Sequence, residues 1–299
     1  MIQAENITKS FGNYEVLADF SLQMEQGCIY GVVGYNGAGK TTLMKTIAGI
    51  YRPETGRVLV NGEPVYENEQ VKRSIFMVQD EPYFAPQGTL DAMALFYSGY
   101  YPAWSNRVYR RLLHAFGLDG KARISSFSKG MQRQASLILG LSTLPYCLLL
   151  DESFDGLDLS KRNMLKSLLQ VYLKSREAVI VVSSHNLREL EGLCGYIAIL
   201  RDKRLSYAAS VEEMHLKQIR YRVVFGSESG AEALEQAGAQ YVEGSGVSFT
   251  FVWNGERTVL EDKLAYARPL ALHTEPLALE DIFLREMEEA EYDFSGIFQ

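Results

Sequence analysis

The stretch Gly31–Leu43, "GVVGYNGAGKTTL", places four glycines, a lysine and two threonines in and directly behind an apolar run. Glycine loses more conformational freedom on folding than any other residue, so a cluster of glycines must do something that side chains would obstruct. Gly34, Gly39, Lys40 and Thr41 fill the spacing G-x-x-x-x-G-K-[ST]. A loop of that pattern turns its backbone N–H groups toward a polyphosphate. The helix that opens behind it points its positive dipole end at the anion. Lys40 is placed to reach the β- and γ-phosphates, and the Thr41 hydroxyl to ligate Mg²⁺. An apolar strand precedes the loop and a helical pattern follows it, which is the context the motif requires. The stretch therefore reads as a nucleotide-binding loop formed by Gly34, Tyr35, Asn36, Gly37, Ala38, Gly39, Lys40, Thr41 and Thr42.

Working outward, further apolar runs read as buried strands: 29–34, 75–79, 146–152 and 178–184. Helical periodicity covers 40–50, 90–99, 105–116, 131–144, 160–174 and 187–193. Strands alternating with helices predict an α/β fold with a mainly parallel core sheet. The first 27 residues instead alternate polar and apolar, which predicts antiparallel strands flanking that core. Near 206–217 the pattern shifts. Short alternating strands at "IRYRVVFG" and "VSFTFVW", a helix at 231–237 and an acidic amphipathic helix in "PLALEDIFLREMEEAE" predict a small α+β extension. The expected division is a cassette over residues 1–213, with a helical subdomain at about 84–145, and an accessory domain over 214–299.

The formal net charge of -7 shows no overall basic excess, so nucleic acid is not an expected partner. No apolar run reaches the roughly 18–20 residues that span a bilayer. The N-terminal residues lack the basic and apolar segments of a secretory signal. Cys28, Cys147 and Cys194 have no metal-knuckle spacing, and the last two sit in apolar surroundings that favour burial.

A phosphate-binding loop is shared by kinases, GTPases and other nucleotidases, so the class is decided elsewhere. "CLLLDE" ends an apolar strand with Asp151 and Glu152. A carboxylate at the strand tip suits a Mg²⁺ shell, and its neighbour can polarise an attacking water. Upstream, "SSFSKGMQRQ" opens a helix at Ser128-Lys129-Gly130-Met131. With these motifs in this order, residues 1–210 resemble the nucleotide-binding subunit of an ABC transporter, and the remainder does so weakly. The resemblance implies a P-loop ABC ATPase fold, with ATP and Mg²⁺ as cofactors. It places Phe11 as the aromatic that stacks on adenine and Gln79 as the glutamine that senses γ-phosphate and Mg²⁺. It makes Phe127, Ser128, Lys129, Gly130 and Met131 the signature motif, Asp158 the D-loop aspartate and His185 the switch histidine. Glu152, His185 and Gln79 are then the catalytic candidates, with Thr41, Gln79 and Asp151 around the metal.

This chain departs from the family pattern in two places. Lys129 and Met131 stand where the signature usually has glycine and glutamine, a variant that resembles bacterial exporter-type subunits. Ser153-Phe154 replaces the usual Pro-Thr after the glutamate. Because the chain has one copy of each motif, the resemblance implies a head-to-tail dimer, homomeric or heteromeric, closed around two ATP molecules. It also implies a transmembrane permease as partner, and hence a position on the cytoplasmic face of the membrane through that permease. The aromatics Tyr83, Phe84, Phe96, Tyr97, Tyr100, Tyr101, Trp104 and Tyr109 crowd the segment where such subunits receive a permease helix. Roughly half of them are expected to pack helices together instead. His273 and the acidic Glu286, Glu288, Glu289 and Glu291 read as solvated surface. Two other classes compete: a soluble ABC ATPase working on ribosomes or DNA, and a non-catalytic ATP-binding regulator. The single compact cassette argues against the first, and Glu152 with His185 against the second.

Overall fold

The computed structural model describes residues 1–217, 219–226, 230–253, 257–276 and 279. The amphipathic helix expected from "PLALEDIFLREMEEAE", with Glu286, Glu288, Glu289 and Glu291, lies outside the described residues apart from Pro276 and Leu279. The chain divides into two compact units, 1–208 and 209–299.

In chain order the first unit contains β1 (Ile2–Phe11), β2 (Tyr14–Met24), β3 (Cys28–Val33), α1 (Lys40–Ile47), β4 (Thr55–Val60), β5 (Glu63–Pro64), α2 (Glu69–Lys72) and β6 (Ile75–Val78). It continues with α3 (Leu90–Tyr100), α4 (Asn106–Phe116), α5 (Lys129–Ser142), β7 (Cys147–Asp151), α6 (Leu159–Ser175), β8 (Val179–Ser184), α7 (Leu187–Leu190) and β9 (Tyr196–Arg201), and β10 (Arg204–Ser210) closes the series.

Two sheets result. The antiparallel one runs β2-β1-β4-β5, and the core sheet runs β10-β9-β3-β8-β7-β6. The pairs β3/β8, β3/β9, β7/β8 and β6/β7 are all parallel. Every residue of β7 and β8 is buried, which accounts for their unbroken apolar sequences: a parallel strand covered on both faces has no polar side to present. One apolar core joins the sheets through α1. Ile7, Leu17 and Phe20 from the antiparallel side meet Leu43, Met44 and Ile47 of the helix, and Leu149, Val179 and Val181 from the core sheet.

Side chains set most helix starts. Thr89, Ser105, Ser128 and Asp158 cap α3, α4, α5 and α6 by accepting a bond from the backbone N–H three residues on. The helix expected at 187–193 stops as α7 at Leu190. Beyond it Glu191 is extended, and Gly192 takes φ +68, where a helix cannot continue. Strands β4, β5 and β10 carry no long apolar run, and the sequence pattern does not announce them; β9 does carry a buried run, Ile197–Leu200, which the strand reading above does not include.

The second unit contains α8 (Val211–Lys217), β11 (Ile219–Phe225), α9 (Gly230–Ala237), β12 (Gln240–Ser245), β13 (Ser248–Trp253), α10 (Arg257–Leu264) and β14 (Pro269–Pro276). From β11 onward the order is βαββαβ, with antiparallel sheet order β12-β13-β11-β14, the split βαβ arrangement. Its own core packs Tyr221, Val223 and Phe225 with Leu234, Phe251 and Leu260. The expected small α+β extension has this specific topology. His273 is exposed on β14.

Candidate functional site

Because β3, β6, β7 and β8 run parallel, their carboxyl ends fall on one edge of the sheet. That edge carries the glycine loop after β3, Gln79 after β6, Asp151-Glu152 at the end of β7 and His185 after β8. This is where open α/β sheets take their ligands.

Two glycines make the loop possible. A Cβ at Gly34 would stand 2.6 Å from the Leu200 carbonyl oxygen and 3.0 Å from the Ala38 Cβ, so no side chain fits between the loop and β9. Gly39 takes φ +104 and opens α1 with no side-chain cap, unlike α3–α6. Its first-turn N–H groups are left for a ligand to satisfy, the arrangement that favours an anion. Tyr35, Asn36 and Gly37 are exposed on the outer loop, with Ala38 half-buried.

The Lys40 side chain turns back under the loop. Its ammonium donates to the carbonyls of Gly34 at 2.7 Å and Tyr35 at 3.2 Å, and lies 3.1 Å from Glu152 Oε1. The other carboxylate oxygen, Glu152 Oε2, is 3.0 Å from His185 Nδ1. The three residues that sequence reasoning put in one site are thus joined through a single carboxylate. Glu152 reaches both partners from a left-handed backbone, φ +45, a conformation costing about 1–3 kcal/mol in a non-glycine residue. Its N–H is held by the Ser183 carbonyl at 3.2 Å and the Ser183 hydroxyl at 3.1 Å, which fixes that turn.

Asp151 is 1% exposed. One oxygen accepts from the Ser183 hydroxyl at 2.6 Å, while Oδ2 is buried with no hydrogen-bond partner. Burial raises its carboxyl above the ordinary carboxylate range, with bonds from Ser183 and Thr41 pulling the other way. A buried carboxylate oxygen with no partner, beside a threonine hydroxyl, is the hard-oxygen donor set that a Mg²⁺-sized cation takes. Gln79 is half-buried directly after β6.

The remaining candidates are not bonded to the Lys40–Glu152–His185 cluster. Among the described residues, no hydrogen bond or ion pair joins 128–131 to Lys40, Glu152 or His185. Ser128 is instead the cap of α5, accepting from the Met131 N–H at 3.3 Å, and Asp158 caps α6, accepting from the Lys161 N–H at 2.8 Å. Phe127 is buried. Phe11 ends β1, 46% exposed, edge-on to Tyr51 at 5.2 Å between ring centres.

Sequence reasoning missed four participants. Asp155 brings a second carboxylate to the site: ligand atoms of Glu152, Asp155 and His185 all lie within 4.8 Å of one another. Ser183 holds both Asp151 and Glu152. Glu189 is buried, pairs with Arg162 at 3.3 Å and accepts from Ser184 at 2.8 Å beside the histidine. Arg133 reaches two loops at once. Only the closeness of Asp155 to Asp151 and Glu152 in the chain hinted at any of these.

The family model described as ABC transporter matches residues 17–155. An uncharacterised ABC transporter ATP-binding protein of Methanocaldococcus jannaschii is 31% identical over 71% of this chain and 79% of its own. The chain belongs to the ABC transporter ATP-binding family. As such it is the ATP-binding subunit of a transporter and an ATPase. ABC relatives also align over nearly the whole chain. The ATP-binding protein YtrB of Bacillus subtilis is 25% identical over 95% of this chain and 97% of its own. The Nod factor export ATP-binding protein I of Rhizobium etli is 29% identical over 96% and 95%. A methionine import ATP-binding protein of Clostridioides difficile is 29% identical over 77% and 75%. A solved ATP-binding subunit of an ABC transporter shares the fold at TM-score 0.67, with 24% identity, over 72% of this chain and 92% of its own. Among the described residues no helix is long and apolar enough to cross a membrane.

Proposed function

We propose that this chain is the motor subunit of an ABC exporter, hydrolysing ATP at two composite sites formed head to tail in a dimer and working a separate permease. The observation that carries the reading is the convergence of Lys40 and His185 on the two oxygens of Glu152, at 3.1 and 3.0 Å, beside a glycine loop that opens α1. In this reading the loop amides and Lys40 bind the phosphates, and Phe11 faces the adenine. Glu152 takes a proton from the attacking water. His185 orients that carboxylate and, with its side chain 43% exposed, also faces the γ-phosphate. Thr41, Asp151 and Gln79 would hold Mg²⁺, which supplies charge neutralisation at the phosphates when bound. Ser128 and Gly130 of the second subunit complete the pocket.

The head-to-tail arrangement is supported by the lack, among the described residues, of any hydrogen bond or ion pair from 128–131 to Lys40, Glu152 or His185 of the same chain. The permease contact is supported by the helical region. Tyr97 and Tyr101 pack on Phe76, and Tyr109 is buried against Trp104. Leu95, Phe96, Tyr100 and Tyr83 are exposed at 77%, 54%, 56% and 79%. Phe96 and Tyr100, with Tyr97 and Tyr101, line a cleft of about 260 Å³ that Glu69, Lys72 and Arg73 border on the other side. Exposed apolar surface of this kind marks a contact site. Export is favoured by alignment of the Nod factor export protein across both units, where the methionine importer's alignment covers less of the chain.

The test is steady-state hydrolysis by the purified chain with and without Mg²⁺. Mg²⁺-dependent turnover that Glu152→Gln abolishes supports the reading. Turnover unchanged in that variant refutes the assignment of the base.

A further inference from the structure

Arg133, on α5, stands outside every motif described above, yet its guanidinium is bonded to two different loops. Nη2 donates to the Asp80 carbonyl at 3.0 Å and to the Asp80 carboxylate, while Nη1 donates to the Asp155 carbonyl. Asp80 directly follows Gln79, and Asp155 lies in the turn between Glu152 and Asp158. The Arg133 side chain is 13% exposed, so these bonds are largely shielded from water, although Asp80 itself is half open to solvent. Arg133 lies little more than one helical turn into the helix that Ser128 caps.

A second contact ties the same parts together. A Cβ at Gly130 would stand 3.1 Å from the Gly156 carbonyl oxygen, so the signature glycine allows the backbone after Asp155 to lie against α5. Gly156 in turn takes φ +70, and a Cβ there would be 3.6 Å from Arg133 Nη1. Helix and turn are in contact, with the arginine alongside.

We propose that Arg133 is a positioning residue that clamps the Gln79–Asp80 segment, the signature helix and the turn after Glu152 into one body. Movement of the segment after Gln79 is thereby passed to the turn that follows the catalytic carboxylate. Its planar fork meets two carbonyls and a carboxylate in different directions, which a lysine ammonium on a flexible stem does not reproduce. Coulomb attraction to the half-open Asp80 contributes little beside this geometry. The link to turnover rests on the motor reading above; the clamp itself belongs to the single chain.

Full-length Arg133→Gln and Arg133→Lys are compared with the wild type by amide hydrogen exchange, ATP affinity and steady-state hydrolysis. In the Gln variant, amides at 80–85 and 153–157 exchange about tenfold faster, while those of α1 and β8 do not change. Its ATP Kd stays within about twofold. Its kcat falls about tenfold through misplacement of the catalytic turn. The Lys variant stays nearer to Gln than to wild type. Asp80→Asn added to Arg133→Gln costs no more than Arg133→Gln alone, because the shared bond is already gone. Unchanged exchange in either segment overturns the clamp. So does loosening of all of α5 with a lower Tm, or a wild-type kcat alongside faster exchange. If the wild type hydrolyses no ATP while exchange rises as stated, the motor reading fails and the clamp stands.

Discussion

Glu152 is where chemistry and backbone meet. Its left-handed φ of +45 aims one oxygen at Lys40 and the other at His185, and Ser183 holds the turn from behind. Replacing it by glutamine keeps the shape and removes the base, so kcat is expected to fall by roughly 10²–10⁴ with ATP still bound. Phosphate release and a nucleotide-binding titration check the two halves of that expectation. Asp151 makes the opposite case. Burial raises its carboxyl, so the folded chain holds that proton more tightly than the unfolded one. The stability this group contributes is full below the ordinary carboxylate range and is lost as pH rises through the raised value. Above that raised value the charged, half-satisfied group burdens the fold. Asp151→Asn is expected to raise Tm in metal-free buffer at pH 7 by roughly 1–4 °C while abolishing stabilisation by Mg²⁺. Differential scanning with and without Mg²⁺ measures both. At this scale the sequence was legible where a residue belongs to a spaced motif: Gly34, Lys40, Glu152, His185. Glu189 pairs with Arg162, and Arg133 with Asp80 and Asp155, all distant in the chain, and spacing carries no trace of that.

At the level of elements, the Ser153-Phe154 departure has a structural reading. Ser153 and Phe154 are both fully buried, and the Phe154 carbonyl accepts from the Leu157 N–H at 3.3 Å. The phenylalanine thus anchors, through its buried side chain, the same turn whose Asp155 carbonyl Arg133 holds. Phe154→Ala is expected to cost about 3–5 kcal/mol of stability by leaving a cavity, read as a lower midpoint in chemical denaturation with an unchanged slope. Ser128→Ala should cost about 1 kcal/mol through the lost cap of α5, measured the same way. Long, strongly patterned elements such as α5, α6, β7 and β8 were legible because a single period or an unbroken apolar run defines them. The short β5, and the exposed edge strand β12 with its irregular register, have neither. Their existence is fixed by pairing partners rather than by their own residues.

Across the whole molecule, the cassette and the βαββαβ module each have a core of their own. A chain of residues 1–213 is expected to bind ATP within about threefold of the full chain. Isothermal titration of both forms checks this. The α+β class of the C-terminal module was readable from its two alternating strands, but its topology was not. Strand order is decided by tertiary pairing of β11 between β13 and β14. In the proposed dimer the phosphate site of one chain is completed by Ser128 and Gly130 of another. Size-exclusion in ATP–Mg²⁺ probes this composite site by comparing Glu152→Gln with the double variant Glu152→Gln/Ser128→Arg, after confirming that both bind ATP. Glu152→Gln is expected to elute as a dimer, and the added Ser128→Arg to return it to monomer with ATP still bound. A double variant that dimerises as readily as the single one would contradict the composite site.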